Sequence, residues 1–173
     1  LASLFRAFSV AVLGIFFILI LVFKNVVQPF LILATIPLGL VSVIFTFFLH
    51  GLPLSFMAML GIVALAGVIV NNAIVLLDFI NRARAKGMSN MDSIVDASKK
   101  RLRPIFLTTI TTVVGLMPTA YGIGGLDKFI VPIALSIGWG MVFGSLLTVF
   151  AFPAITAVLD DVLNLFKRKK RSS

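Results

Sequence analysis

The 173-residue chain has no cysteine, one histidine, one tryptophan, one tyrosine and only six acidic residues. Without cysteine there is no disulfide framework and no thiolate metal site. The lone His50 stands in a short turn with no acid beside it, and the chain shows neither a His/Glu metal spacing nor a glycine-rich phosphate loop. No enzyme chemistry and no cofactor are therefore expected, and His50 is given no specific task. Charge is scarce as well, at 12% of residues.

Apolar sequence fills the space. Sixty per cent of the residues are hydrophobic and the mean hydropathy is +1.17, more apolar surface than a soluble fold can hide. Runs long enough to cross a hydrocarbon layer of roughly 30 Å fall at about 4–23, 26–49, 54–80, 105–123 and 129–159. The expected fold is an all-α integral membrane bundle of five transmembrane helices over residues 1–166, followed by a basic tail, 167–173. Lys24 and Asn25 leave room for nothing but a tight turn, so the first two spans are antiparallel neighbours. The loop 81–103 is the one extended polar segment. In it Ser89 or Asn90 is placed to cap a short amphipathic helix, with Met91, Ile94 and Val95 on one side, expected to lie on the membrane surface.

Orientation follows from the basic residues. The net charge of +9 would suggest nucleic acid in a soluble domain, but here the cations stand in blocks between apolar runs. If the loop 81–103 is cytoplasmic, all but Arg6 and Lys128 of the 15 basic residues are cytoplasmic too. The C-terminus is then inside and the N-terminus outside, and Lys167–Arg171 reads as a topology anchor rather than a nucleic-acid site. A first span that begins outside within a few residues of Leu1 reads as the continuation of an upstream extracytoplasmic portion.

Polar residues inside spans are costly in hydrocarbon and need partners. Ala64, Asn71 and Asp78 fall on one helical stripe, with Gly67 about 40° from Asn71. This small, polar face is expected to look into the bundle, with Asn72 beside it. The bland alternative is that Asn71 and Asn72 are interhelical hydrogen-bond glue. Asp78 is expected to pair with Arg82 four residues on. In the fourth span Arg101, Thr108, Gly115 and Gly122 share a stripe flanked by Thr111 and Thr112, a polar path for protons or a water chain. The competing reading is that these threonines bond their own helix backbone. In the fifth span Ser136, Gly140, Gly144 and Thr148 recur every four residues, a ridge of small side chains suited to close helix packing.

The run GIVALAGVIVNNAIVLLDF from Gly61 to Phe79, followed by RLRPIFLTTITTVVGLMPTAYG from Arg101 to Gly122, resembles the resistance-nodulation-division (RND) efflux permeases. QPFLILATIPLGL from Gln28 and GLPLSFMAMLG from Gly51 are similar to the helices preceding the first motif. The match is to the last five of the family's twelve spans and takes in nearly the whole chain. The resemblance implies a multi-pass, proton-motive antiporter of the bacterial inner membrane exporting hydrophobic or amphiphilic compounds. It also implies a homotrimer, a periplasmic adaptor, an outer-membrane channel and, as partner, the N-terminal half of the same transporter. The family carries protons on an aspartate pair of the first half, near a lysine, an arginine and a threonine of the second. The arginine matches Arg101 and the threonine Thr108, whereas the lysine position holds Asn71, a neutral amide that supplies hydrogen bonds but no counter-charge. The alternative reading is a structural helix-packing module with no transport activity of its own.

Overall fold

The computed structural model describes residues 2–171 apart from Gly124 and Leu126, and the side chains of residues 3–162 apart from those two. The described residues form α-helices and the turns between them: α1 (Ala2–Phe23), α2 (Val27–Leu33), α3 (Ile36–Leu49), α4 (Phe56–Ala85), α5 (Asn90–Ala120) and α6 (Ile130–Arg171). Five stretches among them are long and apolar enough to cross a membrane: Ser3–Phe23, Val27–Leu49, Phe56–Ala85, Asn90–Ala120 and Ile130–Val162.

Local chemistry explains most of the boundaries. Lys24, with φ 50°, turns the chain after α1, and the Asn25 side chain accepts the Val27 N–H at 2.9 Å in an Asx-type turn just before α2. The Ser55 and Ser89 hydroxyls accept the first free N–H groups of α4 and α5, from Ala58 and Asp92, each at 3.2 Å. Gly51, with φ 61°, reverses the chain after α3, a conformation that costs glycine nothing.

The helices depart from the sequence reading in two places. The second span is two helices rather than one run over 26–49. Pro37 has no N–H to continue the ladder, and the chain tightens at Thr35, whose N–H and hydroxyl both donate to the Ile32 carbonyl at 3.0 and 2.6 Å. The expected short surface helix is not a separate element either: it is the first part of α5, continuous with the fourth span through Pro104. Ser93, Ile94 and Ala97 are buried, and the last two join an apolar cluster with Leu76, Leu77, Ile80 and Phe152, so this turn packs on the bundle. The fifth apolar stretch, Ile130–Val162, lies within α6, whose helix continues to Arg171.

The helices α3, α4 and α6 meet in a tightly packed seam. A second cluster, Val43, Phe47, Ala58, Leu65, Ile69, Leu135 and Met141, fills this seam toward the end opposite the basic loop. By contrast α1 leans on α2, where Phe16 meets Phe30 edge-on at 5.1 Å, and splays from the other helices. Between them lies an apolar groove of 740 Å³, walled by Phe5 and Phe8 of α1, Pro37 and Leu40 of α3, and Ile62 and Val63 of α4.

Candidate functional site

The residues singled out in the spans separate into two surfaces. On α6, Ser136, Gly140, Gly144 and Thr148 are all buried in the seam with α3 and α4. A Cβ on Gly140 would lie 2.8 Å from Leu65 and 2.9 Å from Val43, and one on Gly144 would lie 2.9 Å from Ile69. The close approach also lets polar groups meet backbone. The Ser136 hydroxyl donates to the Ala58 carbonyl of α4 at 3.2 Å, and the Ser42 hydroxyl of α3 donates to the Gly140 carbonyl at 2.9 Å. A hydroxyl that satisfies a backbone carbonyl of its neighbour replaces the water it lost on burial.

The stripe of α4 that was expected to look into the bundle does not do so within this chain. Ala64, Gly67 and Asn71 are exposed, and Asn72 and Asp78 are half-buried. A Cβ on Gly67 would meet nothing within 4 Å. Asp78 accepts from Arg82 at 2.8 Å in an exposed i,i+4 ion pair. The interhelical amide pair lies elsewhere: Gln28 of α2 and Asn81 of α4 exchange hydrogen bonds at 3.1 and 3.2 Å.

On α5, Thr108 and Thr111 are exposed and Thr112 half-buried. Thr108 donates back to the carbonyls of Pro104 (2.8 Å) and Ile105 (3.0 Å), and Thr111 to those of Leu107 (2.9 Å) and Thr108 (3.1 Å). The threonine that does reach another helix is Thr109, buried, with its hydroxyl 3.2 Å from that of Ser145 on α6. The residue next along the heptad seam, not the exposed one, makes the crossing.

Arg101 links the two helices. Its guanidinium carbon sits 5.6 Å over the ring of Phe79 on α4, within the range at which a cation is drawn to an aromatic face. Its Nε is buried with no hydrogen-bond partner among the described residues. A buried guanidinium N–H without an acceptor costs desolvation free energy that a carboxylate or water would recover. Asp78 lies one residue from Phe79 but is engaged by Arg82. Asn71 on α4 and Thr108 on α5 are thus both left open, while Arg101 lies against Phe79 of α4 near the basic end of the same two helices.

Several contacts had no counterpart in the sequence reading. Arg84, read only as a topology charge, ion-pairs with Asp160 of α6 and donates through Nε to Ser93 of α5 at 3.2 Å. This fastens the basic ends of three helices. Both charges close spans at the same face, which is the signal that could have paired them. His50, given no task, contacts Tyr121, and Tyr121 contacts Trp139. No sequence spacing relates residues so far apart.

The protein is similar to several known proteins. The swarming motility protein SwrC of Bacillus subtilis (strain 168) is 31% identical over 165 residues, 95% of this chain and 15% of that protein. The multidrug resistance protein MdtC of Erwinia tasmaniensis is 33% identical over 153 residues, 88% of this chain and 15% of that one. Among solved structures, a heavy metal efflux pump superposes with a TM-score of 0.78 at 27% identity, covering 88% of this chain and 15% of the pump. The chain thus spans about 15% of the length of the relatives it matches. Residues 2–160 match the AcrB/AcrD/AcrF family, and the chain belongs to that family of RND efflux permeases.

Proposed function

We propose that this chain forms the C-terminal membrane portion of a proton-motive-force-driven RND pump that exports hydrophobic or amphiphilic compounds from a bacterial cell. The observation that carries the reading is the open face of α4 and α5. Asn71 is exposed in the middle of one apolar span and Thr108 within another, and the buried Nε of Arg101 has no acceptor among the described residues. Such a face is costly against lipid and calls for a partner offering acceptors. Carboxylates on helices of the transporter's N-terminal half would supply them. Arg101 then balances their charge and Thr108 and Asn71 offer hydrogen bonds along the path, with Asn72, Asp78, Thr111 and Thr112 in support. Where the family has a lysine, Asn71 leaves Arg101 as the cation nearest those acids. The cargo class rests on the resemblance and on relatives named for multidrug resistance, and the homotrimer, adaptor and outer-membrane channel rest on the family alone. The transporter sits in the inner membrane, with the loop 81–103 and the basic tail, 167–173, in the cytoplasm. The bundle proper is 1–166.

The test is reconstitution of the complete transporter in liposomes with an imposed pH gradient, following internal pH and an apolar dye. Dye movement should follow the gradient and stop with a protonophore; movement indifferent to both would overturn proton coupling. Orientation is read separately with an impermeant thiol reagent in intact cells, since the chain has no cysteine of its own. Asp127→Cys should label and Ser89→Cys should not.

A further inference from the structure

Three helices meet through side chains at the end opposite the basic loop. His50 follows α3, Tyr121 follows α5, and Trp139 lies on α6. The Trp139 indole N–H donates to the Tyr121 oxygen at 2.9 Å. That oxygen lies 3.2 Å from Nε2 of His50, and Nδ1 of His50 lies 2.8 Å from the Thr46 carbonyl oxygen. A carbonyl only accepts, so Nδ1 holds a hydrogen. In the neutral ring Nε2 is then the acceptor and takes the Tyr121 O–H. The result is one directed chain, Trp139 to Tyr121 to His50 to Thr46, in which every donor has an assigned acceptor.

A proton added to His50 goes to Nε2 and reverses the middle link. Nε2–H donates to the Tyr121 oxygen, which already accepts from Trp139, and the tyrosine hydrogen turns outward to water; Tyr121 is half exposed, at 50%. No hydrogen bond is lost, so both charge states are accommodated. The new charge sits on a ring 6.2 Å from the centroids of both Tyr121 and Trp139, near the limit of cation–π attraction. Few other charges act here. No ionisable group other than Tyr121 lies on α3, in the turn from Gly51 to Ser55, on α4 before Asp78, from Ile105 to Gly122, or on α6 before Asp160. Asp127 and Lys128 stand in the turn before α6, where Asp127 accepts the Phe129 N–H at 2.8 Å, and Arg6 stands near the start of α1.

We propose that His50, Tyr121 and Trp139 form a proton-binding site, separate from the Arg101 face, whose occupancy sets the hydrogen-bond direction at Tyr121 and is transmitted to α5 and α6. Imidazole is the ordinary side chain that changes charge between about pH 5 and 8. In the orientation proposed above this end faces outward, where a proton-driven pump meets its acidic side.

Trp139 is the one tryptophan and His50 the one histidine of this chain, so they report alone in a transporter whose remaining portion has its tryptophans and histidines replaced. In lipid nanodiscs, indole emission should fall through a single transition between pH 8 and pH 5, since imidazolium quenches a neighbouring indole. ¹⁵N NMR of labelled histidine should titrate with the same midpoint and show the Nδ1–H tautomer at pH 8. His50→Gln, which keeps a donor and an acceptor but cannot titrate, should abolish the emission transition, while Asp127→Asn should leave it unchanged. The proposal is overturned if emission stays flat while the histidine titrates, if the transition survives in His50→Gln, or if the tautomer is Nε2–H. The wild-type NMR and emission outcomes stand even if a variant fails to fold. None of these measurements involves transport, so their failure would leave the proposed export function untouched.

Discussion

Glycine does opposite work in two regions of this bundle. In the seam of α3, α4 and α6, a Cβ on Gly61 would lie 2.4 Å from the Ser136 Cβ, and one on Gly140 would lie 2.8 Å from Leu65. On the open face of α4 and α5, a Cβ on Gly67 or Gly115 would meet nothing within 4 Å. The seam is finished within this chain, whereas the open face has its small residues and its polar groups without the neighbour that would use them. Small residues in a membrane helix therefore mark a place where something comes close, and the chain alone does not say whether that something is already present.

The contrast is broken most severely at Arg101. In the complete transporter Arg101→Ala should reduce export to background at normal protein level, because it removes the cation of the open face. Asn71→Ala should reduce it only severalfold, as expected for a hydrogen bond of the side-chain amide worth about 1 kcal/mol. Export assays with quantified membrane protein decide this, and wild-type export by the Arg101 variant would remove that residue from the mechanism. Asn71→Lys restores the family's usual charge and shows whether the site tolerates a second cation.

In the seam the expected loss is one of stability rather than activity. Gly61→Val should cost about 3 kcal/mol, the upper end for overpacking a filled core, since the Ile133 carbonyl at 3.2 Å is backbone and cannot swing aside. Gly67→Ala should instead stabilise the isolated chain by about 0.5–1 kcal/mol, the gain for replacing an unhindered helical glycine. Denaturant titration in mixed micelles measures both, and equal costs would erase the distinction between the two faces.

Ion pairs sharpen the same comparison on a smaller scale. Arg84 and Asp160 keep only 25% and 15% of their side-chain surface exposed, against 74% and 41% for Arg82 and Asp78. Asp160→Asn should cost about 1–3 kcal/mol, since it also leaves a partly buried guanidinium short of an acceptor. Asp78→Asn should cost less than about 0.5 kcal/mol, as solvent screens the exposed pair. Thr109→Val, which removes the hydroxyl bond to Ser145, should fall between, at about 0.6 kcal/mol. Thr108→Val, losing only bonds to its own helix, should be smaller still.

Hydropathy and periodicity made the all-helical membrane fold readable from the residues, since 60% hydrophobic composition admits few alternatives and backbone groups in lipid must be bonded within the helix. The cap at Ser89 was equally local, as is the one at Ser55 that the reading passed over: the hydroxyl that accepts sits three residues from the N–H it serves. The four-residue ridge of α6 was visible because helical spacing projects directly onto a face. Tertiary structure decided the rest. It determined that the stripe through Gly67 and Asn71 stays open while Gly140 and Gly144 are enclosed, because which face a helix buries depends on neighbours that the spacing does not contain. It chose Thr109 over Thr108 for the contact with Ser145, a difference of about 100° around α5. It also gave His50, Tyr121 and Trp139 a common hydrogen-bonded chain and Arg84 a partner in Asp160. These residues are tens of positions apart, and what joins them is the antiparallel return of the helices to the same end of the bundle.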